Sequence, residues 1–236
     1  MVGSTHWPDY VWTLVCTDPA GPRHQNLSWI FIPTNLPGIT IQPFKMMMGI
    51  KNSVFFDNMR VTAFYLVGGE NQGWKVAETH LELEHGGAGG LASNPLVGRV
   101  ASFCRENKWN GQPLIKDQAV RDILADMFIE ADISRLLAMR NFWLRNTRQP
   151  HSYEGPQLRY HDRVATLRMA ERMQQIVGYS SLVADLSVPE AEDFEYLTRK
   201  GPGALHGGGT LDTDRLIIAR RMGLGRTVRE EAAVTI

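Results

Sequence analysis

The sequence predicts an α+β fold with segregated elements: an antiparallel β piece, then an antiparallel helical bundle. Two observations carry this. Residues 10–70 hold short runs of β-branched and aromatic residues separated by Pro, Gly, Asn and Asp. From Glu70 onward apolar residues recur at the three- and four-residue spacing of helices.

The β piece reads as about five strands. They are YVWTLVCT (10–17), LSWIFIP (27–33), ITIQPFK (39–45), NSVFF (52–56) and MRVTAFYLV (59–67), with turn signals such as DPAGP and NLPG between them. One long helical pattern covers 72–107, weakened or kinked by GGAGG (86–90) and Pro95. A second covers 114–145, with Val120, Ile123, Leu124, Met127, Phe128, Ala131 and Leu137 on its apolar face. After a polar connection over 146–157, a third helix covers 158–177 and a short one lies near 189–199. KGPGALHGGG (200–209) reads as a glycine-rich loop. Thr210 then reads as the N-cap of a closing helix, with Asp212 and Asp214 in its first turn. There is no internal repeat.

Composition narrows the function classes. The 236 residues suit one large domain or two small ones. Hydrophobic residues at 43% and charged residues at 21% are ordinary for a globular chain. Lys+Arg and Asp+Glu both number 25, and this balance argues against a coat for nucleic acid or anionic lipid. No apolar run approaches the ~20 residues of a membrane span, and MVGSTHWPDY lacks the basic and apolar regions of a signal peptide. Cys16 and Cys104 are too few for a disulfide framework, so a reduced, cytoplasmic setting is expected, with both cysteines as small buried hydrophobes. The seven histidines show no HxxxH or HxH spacing, so no metal site is predicted. No GxSxG motif supports serine nucleophile chemistry. Met46-Met47-Met48 reads as core or interface packing.

One carboxylate stands apart. Ala77, Leu81, Glu84, Ala88 and Leu91 fall on one helical stripe, whereas Glu78 and Glu82 share another face. A glutamate desolvated on that stripe has a raised pKa and suits a general base; one at its edge pairs with an arginine instead. Both readings stay open on the stripe alone. The glycines of GGAGG admit close approach of a flat ligand or of a neighbouring helix, or simply break the helix. HGGGT before a helix start has the form of an anion-cradling loop, although Asp212 and Asp214 already place negative charge there and no GK[ST] follows.

The motifs resemble the acyl-CoA dehydrogenase family. VFFDNMRV (54–61), VGGENQGW (67–74) and LELEH (81–85) match its VFFDDVRVP strand, its VGxENQGW turn and its LxxER-type helix segment. CTDPAGP, LSWIFIPTNLPGITIQP, GQPLIKDQAVRDILADM (111–127) and HGGGTLDTDRLIIARRMGLGR (206–226) follow in the family's order. Members begin with a helical domain absent here. The resemblance therefore implies the end of a middle β domain over 1–68 and a C-terminal four-helix-type bundle over 69–236. It further implies a fragment, a separately encoded half or a remnant.

The resemblance implies chemistry as well. FAD accepts hydride from the β-carbon of an acyl thioester while a glutamate removes the α-proton, and Glu84 stands where one branch of the family carries that base. Leu81 and His85 stand beside it as substrate contacts, His85 replacing the family's arginine. Gln175 and Gly178 match residues that touch the flavin of a neighbouring subunit. Thr210 matches the threonine of the closing glycine motif, and Asp212 the polar position after it. Where the family has R-x-x-F-G to hold the flavin diphosphate, this chain has Asn107 and Asn110, so a cation is lost. The implied partners are an acyl-CoA thioester and a second chain, in a homo- or hetero-oligomer. The alternative is a non-catalytic subunit or truncated remnant that completes a dimer with a full-length dehydrogenase.

Overall fold

The computed structural model describes residues 8–47, 49–85, 94–150, 152–187, 193–206 and 209–224, and the side chains of 82–85 lie outside that description. GGAGG and Met48 fall outside it too. The architecture is α+β. Contacts divide the chain into Met1–Glu84 and His85–Ile236, so the first helix groups with the strands.

In the first unit, β1 (Tyr10–Cys16) and β2 (Leu27–Pro33) form an antiparallel hairpin pairing Tyr10 with Pro33 through Cys16 with Leu27. The short β5 (Leu66–Val67) pairs with the other edge of β2. β3 (Ile39–Met46) and β4 (Gly49–Phe56) form a separate antiparallel hairpin. The expected strand over 59–67 is therefore mostly absent. Residues 63–65 form a single 3-10 turn, while Met59 and Val61 line a cavity with Val15, Ile30, Ile32 and Phe56. Their apolar side chains cap the inner side of the sheet instead of extending a ladder. Alternation leaves Tyr10, Trp12 and Phe31 on the opposite side, 37–48% exposed and in ring contact. Cys16 is exposed, which corrects its assignment to the interior, whereas Cys104 is buried and its thiol is pushed up by that burial. Met46 and Met47 are also exposed, near the tip of the second hairpin.

Helix α1 (Gly73–His85) ends the first unit. The second holds α2 (Pro95–Glu106), α3 (Gln118–Asn146), α4 (Glu154–Val177), α5 (Phe194–Gly203) and α6 (Leu211–Arg221). Asn94, Asp117 and Asp193 cap α2, α3 and α5 by accepting from Leu96, Val120 and Glu195 amides. The core joins Leu96, Val100 and Cys104 of α2 to Leu124 and Met127 of α3 and to Ala165, Met169 and Met173 of α4. A tight hairpin, β6 (Lys108–Trp109) with β7 (Gln112–Pro113), turns on Asn110 and Gly111, both at positive φ. Lys200–Gly203, expected in a loop, belong to α5. Gly201 is buried there, so close to α4 that a Cβ would stand 2.7 Å from the Ala170 Cβ.

Phe128, expected on the buried face of α3, is 63% exposed. Glu130 instead is buried, held by Arg168 at 3.0 Å, Arg172 at 3.4 Å and His161 at 3.4 Å. Beside it, Asp162 Oδ1 is buried without a hydrogen-bond partner. Burial pushes the Asp162 carboxyl up, against the Ser134 hydroxyl and the His161 charge that pull it down. A carboxyl harder to ionise in the folded chain costs stability once pH exceeds its unfolded pKa, and that cost vanishes below about 3.9. Asp162→Asn is therefore expected to raise the melting temperature at pH 7. The gain should disappear when melting is repeated at about pH 3.5, below the unfolded carboxyl pKa.

Candidate functional site

The ENQGW motif turns out to be a device for fixing the start of α1. Gly68, Gly69 and Asn71 all take positive φ, values that glycine and asparagine tolerate. The Asn71 amide donates to Ser28 Oγ at 2.8 Å, and the Thr17 hydroxyl donates to Asn71 Oδ1 at 2.6 Å. Thr17 and Ser28 hydroxyls lie 2.7 Å apart and close the ring. Ser28 is fully buried on β2, so the loop is pinned to the sheet from within. Gly73 then brings the first turn of α1 against β2: a Cβ there would stand 2.6 Å from the Ser28 carbonyl carbon and 2.7 Å from Leu14 Cδ1. Gly73→Ala is expected to destabilise the chain by about 1–3 kcal/mol through this overlap, read as a lower denaturation midpoint. Trp74 donates from Nε1 to Glu78 at 2.7 Å and carries the His24 ring 4.0 Å away.

From this fixed start the helical phase runs Gly73, Ala77, Leu81, Glu84. Ala77 is buried, and the neighbouring His80 ring packs on Trp12 at 4.4 Å and near Trp29 at 5.9 Å. Leu81 is 38% exposed one turn further on. Positions 84 and 85 close the helix, and the side chains of Glu84 and His85 lie outside the described residues.

The remaining expected residues lie in the second unit, two at the end of α4 and two at the start of α6. Gln175 is exposed near the end of α4, followed by Gly178, whose φ is +64° and whose missing Cβ would meet nothing within 4 Å. Thr210 caps α6 by accepting from the Thr213 amide at 3.3 Å. Asp212 is exposed and lies 3.3 Å from Arg215, which in turn donates to the Tyr160 hydroxyl at 2.8 Å. Gln175 lies fifteen residues beyond Tyr160 on α4, about 22 Å along the helix at 1.5 Å per residue. The two groups are therefore not gathered into one site within a single chain.

What ties the closing segment down is a charge cluster that sequence reasoning missed. Asp214 is fully buried and accepts from Arg159 Nε at 2.7 Å and from Arg163 Nη1 at 3.1 Å. Arg163 also donates to the Gly209 carbonyl, so the glycine loop and α6 are fastened to α4 together. Burial pushes the Arg163 guanidinium down and the Asp214 carboxylate holds it up. The signal was present as Arg159 and Arg163, four apart on one helix, but Asp214 looked like a first-turn acid facing the helix dipole.

Asn107 and Asn110 have local roles. Asn107 Nδ2 donates to the Phe103 carbonyl at 3.0 Å, and Asn110 takes the positive-φ place of the β6–β7 turn. Arg105 lines a groove of about 530 Å³ between α2 and α3, with Ala101, Phe128, Asp132 and Arg135. Among the described residues no cluster of His, Cys, Asp and Glu could hold a metal ion, and no helix is long and apolar enough to cross a membrane.

Comparison with known proteins accounts for this arrangement. Residues 71–223 match the family described as acyl-CoA dehydrogenase, C-terminal domain. The chain is 28% identical over 227 residues to "Probable acyl-CoA dehydrogenase YngJ" of Bacillus subtilis, covering 90% of this chain and 57% of that protein. It is 26% identical over 232 residues to acyl-CoA dehydrogenase IpdE1 of Mycolicibacterium smegmatis, covering 95% and 56%. It thus spans a little over half the length of these curated relatives. Among solved structures, the Tcur3481-Tcur3483 steroid ACAD superposes with a TM-score of 0.80 at 25% identity, covering 92% of this chain and 56% of that one. The ChsE4-ChsE5 complex from Mycobacterium tuberculosis gives 0.77 at 23% identity, covering 92% and 58%, and shares the fold. Residues 71–223 are well over half of the sequence, and the chain belongs to the acyl-CoA dehydrogenase family.

Proposed function

We propose that this chain forms part of a flavoprotein that removes hydrogen from the α and β carbons of an acyl-CoA thioester, with Glu84 as the base. The observation that carries the reading is the placement of position 84. It falls one turn beyond Leu81 on a helix whose start is fixed to the sheet by the Asn71–Ser28–Thr17 ring. A base must be held in register with its substrate, and a helix pinned at one end provides that.

The residues present fit FAD in part. Gly178 leaves open space beside exposed Gln175, and Thr210 offers a hydroxyl at the start of α6. Gln175 and Gly178 would hold the flavin of one subunit, Thr210 and Asp212 that of the other, which accounts for their separation along α4. Bound flavin supplies the acceptor for the hydride leaving the β-carbon. Glu84 takes the α-proton onto its carboxylate, and Leu81 and His85 serve as substrate contacts. The likeness in fold to a glutaryl-CoA dehydrogenase solved with glutaryl-CoA, at a TM-score of 0.78, agrees with a thioester substrate.

One observation favours a second reading, a non-catalytic subunit that completes a dimer with a longer chain. Asn107 is engaged in capping α2 and brings no charge for a diphosphate, and the cations on either side of it are Arg105 and Lys108. The two-chain name of the ChsE4-ChsE5 complex agrees with such a division. Purification with added FAD separates the two. A yellow chain bleached by an acyl-CoA supports the first reading. A folded, colourless chain that gains flavin only alongside a longer dehydrogenase overturns it and supports the second.

A further inference from the structure

The β3–β4 hairpin ends in an apolar tip with a cation on each side. The sequence there is FKMMMGIK (44–51). Met46, Met47 and Ile50 are 38%, 57% and 45% exposed. A Cβ on Gly49 would meet nothing within 4 Å, so the turn projects into open space. Among the described residues the hairpin is a two-stranded sheet with no third strand. Apolar side chains held this far in water return little of the burial energy they could bring to the fold.

The strand register places the two lysines. Lys45 stands opposite Ile50, and Lys51 stands opposite Phe44. Opposite residues of an antiparallel pair share a face and successive residues alternate, so Lys45 and Lys51 lie on opposite faces of the hairpin. Neither lysine has an ion-pair partner among the described residues. Lys45 is two residues behind Met47, about 7 Å along an extended strand. An apolar tip that enters a lipid interface by about 5–10 Å would leave both ammonium groups at the depth of the phosphates. Lysine stems lie along apolar surface while their heads reach outward, which suits that place. A protein partner is served less well, since a specific interface takes about 800 Å² from each side, more than one hairpin turn offers. The chain balances 25 basic with 25 acidic residues and is no general basic coat, so attraction to an anionic surface is confined to this tip.

We propose that the β3–β4 turn docks on an anionic lipid surface. Met46, Met47 and Ile50 enter the interface, while Lys45 and Lys51 meet lipid phosphates from the two faces of the hairpin. Two cations and three apolar side chains make a shallow, reversible contact rather than an anchor. The contact is peripheral, and among the described residues no helix is long and apolar enough to cross a membrane. The proposal goes beyond the dehydrogenase reading and needs neither flavin nor thioester.

The test mixes the whole chain with sucrose-loaded vesicles of phosphatidylcholine, either alone or with about 30% phosphatidylserine, at about 0.1 M salt. The chain is expected to sediment with the anionic vesicles and to stay largely in solution with the neutral ones. Met47→Asp should lower the partition constant at least about tenfold. Lys45→Gln and Lys51→Gln should each lower it about fivefold on anionic vesicles, with the circular dichroism of all three variants unchanged. In a Cys16→Ser background, which removes the exposed thiol, a polarity-sensitive dye on Met47→Cys should brighten on anionic vesicles. The same dye on Thr40→Cys, about 24 Å back along β3, should not. A chain that stays in solution with anionic vesicles would overturn the proposal and leave the tip to a protein partner. So would sedimentation that Met47→Asp leaves intact, equal sedimentation with both vesicle types, or brightening at Thr40→Cys without brightening at Met47→Cys. Each of these failures leaves the dehydrogenase reading untouched.

Discussion

Glu84→Gln is expected to leave flavin uptake unchanged and to slow bleaching by an acyl-CoA about 10²–10⁴-fold, the range for loss of a positioned general base. The amide keeps the size and shape of the side chain but cannot take a proton. Stopped-flow absorbance in single turnover reads the chemical step apart from product release. The helix should survive the change, because glutamine and glutamate have similar helix propensity. Unchanged bleaching in the variant would remove Glu84 from the mechanism and leave only its place on α1.

Asp214→Ala is expected to cost about 3–5 kcal/mol, because removing one member of a buried charge cluster strands the other. Arg163 would keep its buried guanidinium without the carboxylate that now faces it at 3.1 Å. Asp214→Asn retains an acceptor without the charge and should lose less. Denaturant midpoints measure both. Helix α6 has eleven residues, too few to persist alone in water, so limited proteolysis near Gly209 should accompany the alanine variant. A midpoint within experimental error of the unsubstituted chain would mean that the cluster carries no stability.

Much of the fold was legible because it is local. LSWIFIP is bounded by turn residues and forms β2 over the same seven positions, and Thr210 caps α6 where a hydroxyl precedes an acidic first turn. Misreadings arose where distant contacts decide. MRVTAFYLV has strand composition, yet Met59 and Val61 fill space beneath the sheet and only Leu66–Val67 pair. The Asn110-Gly111 turn was legible as a tight-hairpin signal and went unread. The burial of Asp214 depends on an arginine 55 residues earlier, which no short-range pattern encodes. The family motifs did mark positions 81–85 and 210–212, but motif spacing cannot tell which subunit a residue serves.

The Asn71–Ser28 hydrogen bond has a kinetic consequence. The two β hairpins join neighbours in sequence and zip on a scale of about 1–10 μs. The Asn71 amide and Ser28, by contrast, are separated by 43 residues, most of which must already be laid down before they meet. Ordering that long span comes before any reward from the contact, so α1 is expected to dock after the hairpins have formed.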